Sequence, residues 1–294
     1  MNAKSPKRSQ PTVKTITLIR HGVAYHNVRD AQTGETPNYL DPKLTDPPLV
    51  RQGEIQARAL GDQLKRMGMI GHRGGSMDDI CSLSAAGGGA LNADVVDGDD
   101  GGQDKIQLVV SSPLTRCLQT ASLIFPTYFA SSHPSPAVTC GALAMEGDNE
   151  VHVLDRNVVC CCHGDLREAY GIHYPDKRGP LSRLKSSFPT VHYHPSLTEN
   201  DDDWRPDNRE TRGDVSRRIK NFFVWLMKQP HSNVAIVTHG VWMECALMNY
   251  CPEALEFGTK RVFNCDVYSG KLIRSSDQDG VVLRDVKKVA FHFV

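Results

Sequence analysis

The chain has 294 residues, 39% of them apolar and 23% charged, the balance of a globular protein that can build a core, and α/β architectures of this length commonly form one domain. Its 34 Lys and Arg residues match 34 Asp and Glu, so no bulk field favours nucleic acid or an anionic membrane, and any anion preference must come from a local site. No apolar stretch reaches the ~20 residues of a membrane helix, the polar, basic start lacks a secretory core, and the nine cysteines form no spaced framework, so a cytosolic chain with reduced thiols is expected.

Residues 1–14 read as a disordered tail. Residues 15–19, TITLI, are a β-branched run that ends at Arg20-His21-Gly22, as a buried strand opening into a functional loop would. Residues 50–67 have helical periodicity, with Ile55, Ala59, Leu60, Leu64 and Met67 on one side. Between about 70 and 105 the sequence turns Gly- and Asp-rich (GHRGG, AAGGGA, DGDDGGQD) and cannot bury enough surface to offset its ordering entropy, so it reads as a disordered insertion. A second strand, 106–111, runs into Ser112-Pro113 and predicts a helix over 113–125, with Ser112 as N-cap and proline at the first position.

The run Cys160-Cys161-Cys162-His163 invites a metal reading, but adjacent cysteines lack the C-x2-C loop geometry and no second pair stands at a suitable distance, so a buried strand or loop is expected, with no metal. A further helix spans 214–228, with Val215, Ile219, Phe222, Phe223 and Leu226 on its apolar side. The third strand, 234–238, runs into His239-Gly240 and a helix over 241–250. Strands alternating with helices predict an α/β fold, a three-layer α/β/α sandwich with a mainly parallel central sheet, here assigned to residues 15–294.

In such sheets ligands gather at the carboxyl ends of the strands. There the sequence places Arg20 and His21 after the first strand, Ser111, Ser112 and Arg116 after the second, and His239 after the third. Two arginines and two histidines suit a phosphate dianion, whose oxygens guanidinium groups grip in bidentate, charge-assisted fashion. A Rossmann-type nucleotide binder is disfavoured, because no G-x-G-x-x-G follows the first strand.

These segments, Leu-Ile-Arg-His-Gly (18–22) with Asn27 beyond, Ser-Ser-Pro-Leu-Thr-Arg-Cys-Leu-Gln-Thr-Ala (111–121) and Val-Thr-His-Gly (237–240), resemble the ordered signatures of the histidine phosphatase superfamily, the phosphoglycerate mutase-like proteins. Gly53-x-x-Gln56-Ala57 and Phe263-Asn264-Cys265-Asp266 extend the resemblance, which is nearest to a plant and fungal branch. It implies that His21 attacks phosphorus and becomes a phosphohistidine, and that Arg20, Arg116 and His239 stabilise the transferring group. Asn27 and Gly240 complete the expected phosphate- and substrate-binding set.

Glu168, in Asp165-Leu166-Arg167-Glu168-Ala169-Tyr170-Gly171, is the implied proton donor, with Asp165 as the fallback; the competing reading pairs Glu168 with Arg167 at the surface. Asp176-Lys177-Arg178 reads as a charged loop facing water, with a second anion site on Lys177 and Arg178 as the alternative. The expected activity is metal-independent and cofactor-free hydrolysis of a small phosphorylated substrate, without nucleic acid or membrane as partner. A phosphoglycerate mutase-type phosphomutase is the second reading. A non-catalytic scaffold for phosphorylated ligands or protein partners is the third, disfavoured because every expected group is present.

Overall fold

In a computed structural model the described residues are 13–70, 105–130, 153–155, 157, 159–255, 261–275 and 280–289. The tail up to residue 12 and residues 71–104 of the Gly/Asp-rich insertion lie outside them. The first strand starts earlier than its sequence suggests: β1 spans Val13–Arg20, and Lys14, expected in the tail, is buried with its ammonium donating to the Gln229 and His231 carbonyls, each at 2.6 Å. At the insertion's two ends, the Ile106 N–H donates to the Met69 carbonyl at 2.9 Å, so the chain leaves and re-enters at one point.

Seven strands form one sheet in the order β4-β3-β2-β5-β1-β6-β7. Besides β1 they are β2 (Leu108–Ser111), β3 (Cys160–Cys162), β4 (His192–Tyr193), β5 (Asn233–Thr238), β6 (Val267–Arg274) and β7 (Val281–Val289). The pairings from β4 through to β1 are parallel, and β6 and β7 are antiparallel. Cys160, Cys161 and Cys162 thus sit inside the sheet as the buried strand their composition suggests.

Both faces of the sheet are covered, and the two-residue alternation of strand side chains divides the core accordingly. Ile16, Leu18, Val110 and Ile236 face α5 (Arg212–Met227) and α6 (Gly240–Tyr250), through residues such as Phe222, Phe223 and Trp242. Ile19, Val109, Ala235 and Val237 face α1 (Arg51–Arg66) and α2 (Thr115–Ile124), through Leu60, Leu64, Leu118 and Ile124. Two short helices, α3 (Pro126–Phe129) and α4 (Leu181–Ser187), follow α2 and the 174–176 turn.

Two helices depart from expectation. The buried stripe of α1 is Gly53, Ala57, Leu60, Gly61 and Leu64, whereas Ile55 is 59% and Met67 53% exposed. Close approach sets this choice. A Cβ on Gly53 would stand 2.0 Å from the Val23 carbonyl oxygen, and one on Gly22 would stand 2.6 Å from that of Gly53, so the helix and the loop after β1 touch backbone to backbone. Gln56 completes the contact by accepting from the Val23 N–H at 3.2 Å. Helix α2 begins at Thr115, two residues late, because Ser112 does not cap it.

Gly53→Ala forces the helix and loop apart. Overpacking at such a contact costs about 1–3 kcal/mol, so the variant is expected to unfold at lower urea concentration than wild type, with Ile55→Ala, on the exposed side, close to neutral.

Candidate active site

The central registers bring three strand ends level: Arg20 lies beside Thr238, and Ser111 beside Val237. The ladder continues one residue further, since the His21 N–H donates to the Thr238 carbonyl at 3.0 Å and the Ser112 N–H to the Val237 carbonyl at 2.9 Å. His21, Ser112 and His239 therefore leave the sheet side by side.

His21 is buried, and its Nδ1–H donates to the Gly22 carbonyl at 2.7 Å. That bond fixes the tautomer and leaves the lone pair on Nε2, which accepts from Arg116 Nε at 3.3 Å. Burial, reinforced by the charges of Arg116 and Arg20, holds the imidazole well below its ordinary pKa, so the ring is neutral. Asn264 donates to the His21 carbonyl at 2.9 Å, and the Gly22 N–H donates to Thr120 Oγ1 at 3.1 Å; together they pin the loop that carries the ring.

Arg116, also buried, is the hub of the cluster. Besides His21, it donates from Nη1 to the Pro175 carbonyl at 2.6 Å and from Nη2 to Asp176 Oδ1 at 3.0 Å and His239 Nδ1 at 3.2 Å. A guanidinium only donates, so His239 Nδ1 is an acceptor and its Nε2–H donates to Ser112 Oγ at 2.8 Å. Burial, with Arg116 next, keeps His239 neutral as well. Ser112 thus orients His239, while the Ser111 hydroxyl turns to the Ser112 carbonyl at 3.0 Å. Arg20 donates to the Val262 carbonyl at 2.5 Å, and its Nε is buried with no partner among the described residues. The first residue of α6, Gly240, presses on it: a Cβ there would stand 3.3 Å from the Arg20 guanidinium carbon.

Glu168 does not pair with Arg167. Its carboxylate accepts from the N–H of Ala169 at 3.0 Å and of Val241, in the first turn of α6, at 3.2 Å, while Arg167 grips Asp201 at 2.6 Å. Burial first, and the charge of Asp176 second, raise its pKa above the usual carboxylate value. Asp165 faces elsewhere. It lines a polar cavity of about 280 Å³ with Arg167, Tyr170 and Arg178, and burial pushes its carboxyl up to about 6. Asn27 uses Oδ1 inside its own turn, accepting from the Ala24 N–H at 3.1 Å.

The loop at 176–178 corrects the sequence reading. Asp176 is buried and bridges two guanidinium groups, Arg116 at 3.0 Å and Arg209 at 3.2 Å. Arg178 is buried too, donating to the carbonyls of Gly179 at 2.6 Å and of Thr198 and Asn200 at 2.7 Å, so it has no anion to receive. Lys177 stands 4.6 Å over the Trp204 ring. Sequence reasoning gave no role to Asp176, Thr120 or Asn264, although Thr120 and Asn264 lie inside the quoted signatures; for Asp176 the available signal was a carboxylate between two prolines, Pro175 and Pro180, with the Asp-x-x-Gly spacing of a tight turn.

The family described as the histidine phosphatase superfamily (branch 1) matches residues 182–284, the part that holds His239. The chain is 27% identical to phosphoglycerate mutase-like protein 1 of Arabidopsis thaliana over 274 residues, covering 90% of this chain and 82% of that one. It is 25% identical to the probable phosphoglycerate mutase PMU1 of Saccharomyces cerevisiae over 269 residues, covering 80% and 72%. Among solved structures, the ecdysone phosphate phosphatase of Bombix mori has a TM-score of 0.48 at 15% identity, covering 94% of this chain and 92% of that one. Outside the matched residues, Gly53-x-x-Gln56 has a physical basis of its own: it seats α1 against the loop after β1.

Removing the Asp176 carboxylate leaves Arg116 and Arg209 without their counter-charge. Breaking a buried pair from one side costs about 3 kcal/mol or more, so Asp176→Ala is expected to lower the urea midpoint well beyond what an exposed Asp202→Ala does.

Proposed function

We propose that the protein is a metal-independent phosphomonoesterase that works through a phosphohistidine on His21. The observation that carries this reading is the pair of buried, neutral histidines joined by Arg116, with the lone pair of His21 fixed on Nε2 by the Gly22 carbonyl. A neutral imidazole in one tautomer, set among arginines, is a nucleophile prepared for an anion.

In the first step Nε2 of His21 forms a bond to phosphorus as the ester P–O bond breaks, and Glu168 passes its proton to the departing alkoxide. In the second, the Glu168 carboxylate takes a proton from water, the water oxygen bonds to phosphorus and the P–N bond breaks, releasing inorganic phosphate. Arg20, Arg116 and His239, with Asn27 and the backbone of Gly240, hold the oxygens throughout, and the guanidinium charge serves where other phosphatases use metal ions. Arriving phosphate takes over hydrogen bonds that Arg116 makes to its neighbours.

Names of the Arabidopsis and yeast relatives favour a second reading, a phosphomutase that returns the phosphoryl group to its substrate. Both use the same first step. Release of inorganic phosphate from a panel of small phosphomonoesters, inhibited by vanadate and without added metal, supports the hydrolase; interconversion of phosphoglycerates without net release establishes the mutase instead. His21→Ala is expected to lose the acid-labile, base-stable phosphoenzyme, and full turnover by that variant refutes the nucleophile.

The pKa directions also fix a pH profile. Activity needs neutral His21 and protonated Glu168. His21 is shifted down and Glu168 up, so the two forms coexist over a window, with rate lost on the acid side as His21 protonates and on the alkaline side as Glu168 ionises. Glu168→Gln should lower kcat by roughly 10²–10⁴-fold for alkyl esters and abolish the alkaline limb; unchanged kcat with the limb intact removes Glu168 from the mechanism.

A further inference from the structure

His26 stands beside the proposed nucleophile without a part in the chemistry described so far. It belongs to a single turn of 3-10 helix, Tyr25–Asn27, and is 7% exposed, with its ring centroid 5.9 Å from that of His21. The turn is firmly held: the Tyr25 N–H donates to the Pro48 carbonyl, and Tyr39 donates through its hydroxyl to the His26 carbonyl at 3.0 Å. Tyr39 also packs its ring edge-on against that of His26, with centroids 6.0 Å apart. The ring thus touches both His21 and Tyr39.

Its nitrogens are treated differently from those of its neighbours. Both ring nitrogens of His21 are hydrogen-bonded, and so are both of His239. His26 Nδ1 is buried with no hydrogen-bond partner among the described residues. A buried polar atom without a partner is costly, and a packing role alone would be served better by phenylalanine. Arg20 Nε, buried near the same ring, is in the same condition. A guanidinium N–H and a ring nitrogen without partners therefore lie around the proposed nucleophile, and a tetrahedral oxyanion has oxygens for both when the imidazole carries its proton on Nδ1.

We infer that His26 is a further ligand of the phosphoryl group, donating from Nδ1 to a non-bridging oxygen that Arg20 Nε shares or neighbours. This rests on the phosphatase reading and extends it. Burial, with Arg116 and Arg20 next, keeps His26 neutral, so it supplies a hydrogen bond without adding charge. Its position on a turn pinned by Tyr39 makes the phosphate site sensitive to the 25–39 segment.

The test compares His26→Phe, which keeps a ring against Tyr39, with His26→Gln, which restores a donor, using inorganic orthovanadate as the probe. The vanadate inhibition constant is expected to rise about tenfold in H26F, as for loss of one hydrogen bond to a charged acceptor, and to recover in part in H26Q. An inhibition constant in H26F within twofold of wild type overturns the assignment, as does a loss equal in both variants. In wild type, histidine nitrogen NMR answers without substitution: the Nδ1 resonance of His26 is expected to move with vanadate occupancy, and a stationary resonance overturns the inference. Wild-type protein that forms no phosphoenzyme and binds no vanadate defeats the phosphatase reading and this inference together. A wild type that does both, with H26F unaffected, defeats only the role of His26.

Discussion

The arrangement depends on the register of three parallel strands. Because β2, β5 and β1 are neighbours and end level, a hydrogen-bond ladder rather than a set of loops decides where His21, Ser112 and His239 emerge. Backbone registers in a sheet buried on both faces are hard to slip, since a one-residue shift would turn Ile236 or Val237 toward the wrong layer. The side chains of the candidate site inherit that rigidity. What the loops add is finer: Asn264 and Thr120 pin the segment after β1, and the glycine contact with α1 sets its height above the sheet.

Arg116 links this frame to the segment beyond β3. One guanidinium, carried just beyond β2, touches the residues that follow β1 and β5, His21 and His239, and also the carbonyl of Pro175 and the carboxylate of Asp176. The 174–176 turn and the strand ends are therefore coupled through a single side chain. Glu168 enters from the same stretch of chain and docks on the first turn of α6, directly after His239. Acid, cation and histidines share one set of supports.

Much of this was legible in the sequence, for definite reasons. Short β-branched runs ending in Arg-His-Gly, Ser-Ser-Pro and Thr-His-Gly announce strands that stop at chemistry, and the phase of α5 follows from its large apolar residues. The phase of α1 was misread because hydrophobicity rewards Ile55 and Met67, whereas the burial of Gly53 and Gly61 comes from backbone approach, which no apolar scale measures. Ser112 looked like a helix cap and instead orients His239, a partner 127 positions away in sequence. Asp176 and Arg178 looked solvated because charged turns usually are; their partners, Arg116 and the 198–200 carbonyls, become neighbours only through the fold.

The ion pairs of the site also count charge. Asp176 is one carboxylate shared by two guanidinium groups, Arg116 and Arg209, while Arg20 lies within reach of the charges of Glu168, Glu244 and Asp266. Under the proposed function a phosphate monoester, a dianion above its second ionisation, would offset more of that guanidinium charge than a diester with its single negative charge. Discrimination between the two would then reside in charge balance, to which Asp176 contributes before any contact with the alcohol portion of the substrate is made.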